Sequence, residues 1–245
     1  MTDRDTPRRL EWAQLCNARD LGGQPTPLGL TRYGAVVRSE QLIRLTAAGR
    51  RAMLVYGIRT ILDLRSAAEL ERDGVRSVEG TTHVHTAILD EDAMNDVANL
   101  DETLAVYRYM VEKRGSQIAE ALRALIGATG GVVVHCRAGK DRTGVLAGLL
   151  LDNAGVEREA IDADYALSDL WLQPLYREWA GEAGLEETVS TDQIRRYASP
   201  PGTMLSLLSE LDRDYGGTPG YLLSIGLQPS EIEELAVVLR SPAGG

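Results

Sequence analysis

The chain has 245 residues and is acidic, with 36 Asp and Glu against 26 Lys and Arg and a net charge of −10. That length suits one sizeable α/β domain spanning residues 1–245, while the acidity argues against nucleic-acid binding and requires any anion site to be locally positive. No apolar run approaches the ~20 residues of a membrane span, residues 1–9 lack the apolar core of a secretory leader, and the two cysteines, Cys16 and Cys136, make no disulfide framework; a cytoplasmic protein without stable membrane association is expected, signal-independent export being left open.

Residues 1–14 are polar and read as frayed or loosely packed. Gly22–Gly34 is rich in Gly, Pro and Thr and reads as turns or a small hairpin, with a short strand after it at Ala35–Arg38. Thr46 is placed to cap a helix running through Tyr56 and ended by Gly57. Ile58–Leu64 alternates as a strand, and Ser66-x-x-Glu69 is a capping box for the next helix. His83–Leu89 reads as a further strand, and the acidic stretch Asp90–Asp101 as a loop. Thr103–Gly127 is helical with a break near Gly115, and Ile118, Ala121, Leu122, Leu125 and Ile126 share one face of its second half. Val132–His135 is expected as the central strand, and Thr143–Ala154, apolar on most sides, as a buried helix stopped by Gly155. From Glu157 the chain reads as mostly helical, broken at Pro174, Gly184 and Pro200-Pro201, and Ser230-x-x-Glu233 opens a last helix with Ile232, Leu235 and Leu239 facing inward. Strands alternating with helices predict an α/β fold: a mostly parallel central sheet with helices on both faces and a ligand site beyond the carboxyl ends of the strands.

His135-Cys136-Arg137-Ala138-Gly139-Lys140-Asp141-Arg142-Thr143-Gly144 follows Val132-Val133-Val134 and precedes a leucine-rich segment. This places a thiol at the start, and a guanidinium at the end, of a tight loop between a strand and a buried helix. Backbone amides at a helix N-terminus supply donors on all sides of a phosphate, and their partial positive charge favours an anionic nucleophile. Arg142 presents a planar fork to two phosphate oxygens. Gly139 lets the backbone turn and approach the anion. The hydroxyl of Thr143 is placed to donate to the sulfur, and the ring nitrogens of His135 to fix the loop. Arg137, Ala138, Gly139, Lys140 and Thr143 are thus the candidate phosphate-binding residues. Lys140 is one of only two lysines, with Lys113, in a chain that otherwise uses arginine; a compact ammonium there suits a phosphate or a multiply phosphorylated head group. A lone cysteine is more often a small buried hydrophobe, but here spacing, glycine and context agree. A nucleotide-binding loop is excluded, because Val134 stands where its first glycine is required and Lys140 is followed by Asp141 rather than Ser or Thr.

The decapeptide resembles the Cys-x5-Arg-Ser/Thr signature of the cysteine-dependent protein tyrosine phosphatases, in the version of the bacterial tyrosine phosphatase family typified by a mycobacterial enzyme. Asn17-Ala18-Arg19-Asp20-Leu21-Gly22-Gly23, Val37-Arg38-Ser39, Leu62-Asp63-Leu64-Arg65-Ser66, Asp164-Tyr165-Ala166-Leu167-Ser168 and Pro201-Gly202-Thr203-Met204 fit the same family in order, over roughly residues 15–240. The resemblance implies a phosphatase-like fold and a cofactor-free hydrolase acting through a phosphocysteine on phosphotyrosine in proteins, with phosphoserine, phosphothreonine or phosphoinositide as further substrates. It also implies a helical lid after the signature loop; the amphipathic stretch 169–199, with Trp171, Leu172, Leu175, Tyr176 and Trp179, reads equally as that lid or as ordinary packing.

The catalytic set is then Cys136 as nucleophile, Arg142 as phosphate clamp and an acid. None of Trp12, Trp171 and Trp179 is followed by proline, so the aspartate on a Trp-Pro loop used by many tyrosine phosphatases is absent. The resemblance points to Asp141; Asp63, at the end of a strand, and the acidic stretch 90–96 are alternatives. Asp63 reads otherwise as a buried partner of Arg19 or Arg65, and Asp141 as a loop-shaping acceptor. His135, Asp63 and Arg65 are supporting residues. Arg38 and Arg65 suit a pocket or a structural ion pair, and Asp20 the fold. His83 and His85 share a strand face but have no third metal ligand at suitable spacing, so no metal is expected. Two readings stand against the hydrolase: an arsenate reductase-like thiol enzyme, which needs thiols beyond Cys16, and a phospho-ligand binding module, which need not keep Cys136, Arg142 and the acid together.

Overall fold

The computed structural model describes residues 8–100, 102–182 and 200–240. In chain order the strands are β1 (Arg19–Asp20), β2 (Pro25–Thr26), β3 (Gly29–Leu30), β4 (Val36–Ser39), β5 (Ile58–Asp63), β6 (Thr82–His85) and β7 (Gly131–His135). β2 and β3 form the small hairpin expected from the turn-rich segment. The other five make one sheet in the order β1-β4-β7-β5-β6. The β4–β7, β7–β5 and β5–β6 pairs are parallel, and β1 pairs antiparallel with β4 at the edge. The sequence-derived α/β class, with its mostly parallel sheet, is the class observed.

Eleven α-helices lie among the described residues: α1 (Ala47–Val55), α2 (Ala67–Asp73), α3 (Glu91–Ala98), α4 (Thr103–Lys113), α5 (Gly115–Ile126), α6 (Asp141–Asn153), α7 (Arg158–Trp171), α8 (Gln173–Glu182), α9 (Thr203–Tyr215), α10 (Thr218–Ser224) and α11 (Pro229–Leu239). None is long and apolar enough to cross a membrane. The alternation of strand side chains divides the core in two. Val36, Leu62, Val132 and Val134 join the large cluster under α4, α5, α6, α9 and α11. Val37, Ile61 and Val133 face the other way, onto Trp12, Leu42, Leu45 and Met53 of α1. Helices therefore cover both faces, which is why every residue of β7 is buried.

Four local expectations are corrected. The segment from Arg8 is not loose: Leu10 N donates to Ala18 O, Trp12 is buried in the second cluster, and Arg8 pairs with Asp164. The acidic run is not a loop but holds α3, because the Asp90 carboxylate accepts from Ala93 N at 3.0 Å and Glu91 and Asp92 complement the first-turn amides. The last helix begins earlier than Ser230: Pro229 occupies its first turn and Glu231 accepts from Gln228 N at 2.7 Å. β6 also stops at His85, four residues short of Leu89. Other boundaries agree closely: Thr46 caps α1, Ser66 and Glu69 close their reciprocal box on α2, and the break at residue 115 separates α4 from α5. Gly184 and the second half of the 169–199 stretch lie outside the described residues.

Candidate active site

The parallel register sets Ser39, His135 and Asp63 side by side at the carboxyl edge of β4, β7 and β5. Cys136 is the next residue, so the topology delivers the thiol to the open end of the sheet, beneath the N-terminus of α6. It is 2% exposed.

From here the chain makes a loop whose carbonyls all point outward. His135 O accepts from Leu64 N at 2.8 Å, Cys136 O from His135 Nδ1 at 3.2 Å, and Arg137 O from Gln41 N at 3.0 Å. Ala138 O accepts from Asn17 Nδ2 at 3.0 Å, and Gly139 O from Arg38 Nη2 at 2.8 Å. Among the described residues no protein group accepts from the amides of Arg137, Ala138 or Gly139. Free amides in a tight loop at the start of a helix, next to a thiol, are a place for an anion. Gly139 has φ +68°, and a Cβ there would lie 2.2 Å from Ser39 O. The contact leaves no room for a side chain, and the positive φ favours glycine as well.

The anchors that hold this loop are themselves buried and charged. Asp164 receives Arg8, Arg19 and Arg38. Burial alone would raise its carboxyl, but the arginines hold it well below the usual range. Asp63 is fully buried and paired with Arg65 through Nε and Nη2, and its Oδ2 lies 3.5 Å from His83 Nε2 and 3.6 Å from His135 Nε2. Burial pushes Asp63 up, and His83, Arg65 and His135 outweigh it and drive it well down. His135 goes the other way: burial lowers it to about 4 despite Asp63, so it is neutral at neutral pH with Nδ1 protonated to reach Cys136 O. His85 Nε2 donates to Arg65 O at 2.8 Å. Asp20 accepts from Gly22 N, Gly34 N and Tyr56 Oη and belongs to the turn after β1, not to the loop.

Arg142 opens the second turn of the site. Both terminal nitrogens donate to Glu69, Nη2 to Oε1 at 2.8 Å, and Glu69 is fixed in turn by Ser66 N at 2.8 Å. Burial pulls Arg142 down, but Glu69 and Cys136 raise it further, so it stays charged. Lys140 is buried, its Nζ 2.8 Å from Asp141 Oδ1; burial lowers it, and Asp141, Tyr165 and Cys136 reverse that. Asp141 begins α6 and is 37% exposed, and its Oδ1 also accepts from Tyr107 Oη at 2.8 Å. Arg137 reaches the rim, with Nε 3.8 Å from Asp73 and its guanidinium 4.3 Å over the Trp179 ring of α8. Burial, Asp141 and Cys136 push the phenol of Tyr176, also on α8, upward; this helix therefore lies beside the loop. Thr143 differs from expectation: its Oγ1 is buried and has no hydrogen-bond partner among the described residues, so it does not donate to the sulfur in this geometry.

The structure thus gathers Cys136, Arg137, Ala138, Gly139, Lys140, Asp141 and Arg142 around one point, with His135, Asp63 and Arg65 just behind it. Sequence reasoning missed Glu69, Asn17, Asp164 and Tyr107. Glu69 was visible only as a helix cap, Asn17 and Asp164 only as members of family-like segments without an assigned role, and nothing local in the sequence marks Tyr107.

In an open α/β sheet ligands bind beyond the carboxyl ends of the strands, and here that place holds a buried thiol and an arginine paired with Glu69. A sequence profile of the tyrosine phosphatase family matches residues 10–240. The chain is 34% identical over 221 residues to a tyrosine-protein phosphatase of Nostoc commune, covering 84% of this chain and 74% of that one. It is 28% identical over 267 residues to the triple specificity protein phosphatase PtpB of Mycobacterium tuberculosis, covering 91% of this chain and 96% of that one. The chain belongs to the tyrosine phosphatase family and is a protein tyrosine phosphatase, a hydrolase.

Proposed function

We propose that the reaction runs through a phosphocysteine. Cys136 Sγ attacks the phosphorus of a phosphomonoester, the S–P bond forms as the ester P–O bond breaks, and Asp141 gives its proton to the departing oxygen. Water then attacks phosphorus, Asp141 takes a proton from it, and the S–P bond breaks to release phosphate and the thiolate. Arg142 and the inward amides hold the equatorial oxygens, where charge develops. The observation that carries this reading is the loop itself: five consecutive carbonyls are taken by protein donors, while the amides of Arg137, Ala138 and Gly139, next to a buried thiol, donate to no described protein group. Burial supports Asp141 over Asp63 as the acid. Asp63 is sealed and paired with Arg65, whereas the half-exposed side chain of Asp141 can meet a leaving group.

Phosphotyrosine in proteins is the first substrate. The mycobacterial relative is named a triple specificity phosphatase, which supports a range wider than phosphotyrosine, and the buried ammonium of Lys140 suits phosphoserine, phosphothreonine and phosphoinositide as further substrates. We read residues 1–245 as one catalytic domain, with α8 as part of its lid. The reaction needs a reduced thiol, which supports a cytoplasmic setting. The test is to quench turnover of an aryl phosphate with chelator present and weigh the Cys136 peptide. A mass increase of one PO3H is expected, absent in Cys136→Ser, which should bind vanadate and turn nothing over. Turnover retained by Cys136→Ser removes this mechanism.

A further inference from the structure

Behind Asp141 lies a pair of tyrosines that the reaction as described does not use. Tyr107, on α4, is fully buried, and its hydroxyl donates to Asp141 Oδ1 at 2.8 Å. Its oxygen lies 2.6 Å from the hydroxyl of Tyr165, on α7. Tyr107 has one proton and gives it to the carboxylate, so Tyr165 is the donor of that second bond. The phenol keeps its proton, because burial, Asp141 and Tyr165 all push it well above its ordinary range. The rings meet edge-on, 5.9 Å apart at 85°. Gly144, in the loop motif itself, makes room for the pair: a Cβ there would stand 3.2 Å from the Tyr165 ring.

The consequence concerns the two carboxylate oxygens. Lys140 Nζ approaches the same oxygen, Oδ1, at 2.8 Å. With both donors on Oδ1, the proton belongs on Oδ2. An exposed aspartate at the head of a helix otherwise turns freely about its side-chain bonds, and a donor that wanders by an ångström loses rate steeply. We propose that Tyr107, backed by Tyr165, is a positioning residue for proton transfer: it grips Asp141 Oδ1 and so presents Oδ2 to the leaving oxygen. This rests on Asp141 being the acid.

The test compares Tyr107→Phe and Asp141→Asn on two substrates, p-nitrophenyl phosphate, whose leaving group needs little protonation, and a simple alkyl phosphate, whose leaving group needs it fully. The readout is kcat/KM, which stops at phosphocysteine formation, with vanadate affinity and thermal midpoint alongside. Tyr107→Phe should lose about tenfold on the alkyl ester and less than about twofold on the aryl ester, with vanadate affinity unchanged. Combined with Asp141→Asn it should cost the alkyl ester nothing more. Tyr165→Phe, which leaves the direct contact intact, should show the same selectivity more weakly. Equal loss on both esters, or a loss in vanadate affinity of the same size, would mean Tyr107 only shapes the loop and overturns the inference. Selective loss in Asp141→Asn but none in Tyr107→Phe overturns it while leaving Asp141 as the acid. No selectivity in Asp141→Asn removes the acid and the inference together.

Discussion

At the scale of single residues, Arg142 shows how a buried cation beside the Cys136 loop is held. A buried guanidinium is stable only if its donors are taken, and Glu69 takes two of them. The same carboxylate closes the capping box of α2 through Ser66 N, so one side chain ties the start of α2 to Arg142 and the loop before it. Glu69→Gln should lower stability by about 3 kcal/mol, the cost of leaving a buried charge half-paired. It should also raise KM for aryl phosphates, measured by urea unfolding and steady-state kinetics. An unchanged KM would show that Arg142 is positioned by something else.

Among the elements, α8 is the helix whose Trp179 packs on Arg137 of the loop. Leu172, just before it, and Leu175 on its first turn are buried, Trp179 stacks on Arg137 of the loop, and Glu178 reaches Arg44 at 2.5 Å. The ion pair is exposed and worth little. The stacked cation and the buried leucines carry the docking. Trp179→Ala should therefore loosen α8 and make Cys136, 2% exposed, react several-fold faster with iodoacetamide. An unchanged rate would mean α8 does not control the approach to the thiol. Cys16 serves as the internal reference: burial and Glu40 raise its thiol to about 12, so it should alkylate slowly in both proteins.

Over the whole molecule, the buried ionisable groups predict how stability follows pH. Asp63, Asp164 and Glu69 are held below their ordinary values by arginines and histidines. Groups depressed in the folded state stabilise it above their unfolded pKa, and that contribution is lost as pH falls through the carboxylate range. His135 acts earlier. It sits at about 4 when folded against 6.5 ordinarily, so from pH 6.5 downward the unfolded chain takes up a proton that the folded chain refuses. Asp20, raised by burial, opposes the carboxylates over their own range. Urea midpoints should fall between pH 6.5 and 4, with about 3 kcal/mol traceable to His135, and fall further below pH 4. His135→Asn should flatten the upper part of that curve; the same slope in the variant would assign it elsewhere.

The sequence by itself determined the family, the enzyme class and the class of fold. Cys136 and Arg142 six positions apart about Gly139, between a β-branched run and a leucine-rich one, specify a strand, a turn of positive φ and a buried helix, because these are short-range properties of the backbone. Thr46, Ser66 and Gly155 marked their helix ends for the same reason. Capping chemistry was also present at Asp90 and Glu231, but the acidic run looked like solvated surface and Ser230 was the more conspicuous cap. Only the tertiary structure decided which distant residues complete the site. Glu69 meets Arg142 across 73 positions, Asn17 meets Ala138 across 121, and Arg38 meets Asp164 across 126. Such pairs are set by strand order and register, and no local pattern in the chain records them. The protonation of Asp63 and His135 was decided there too, since burial and neighbouring charge exist only once the sheet has closed over them.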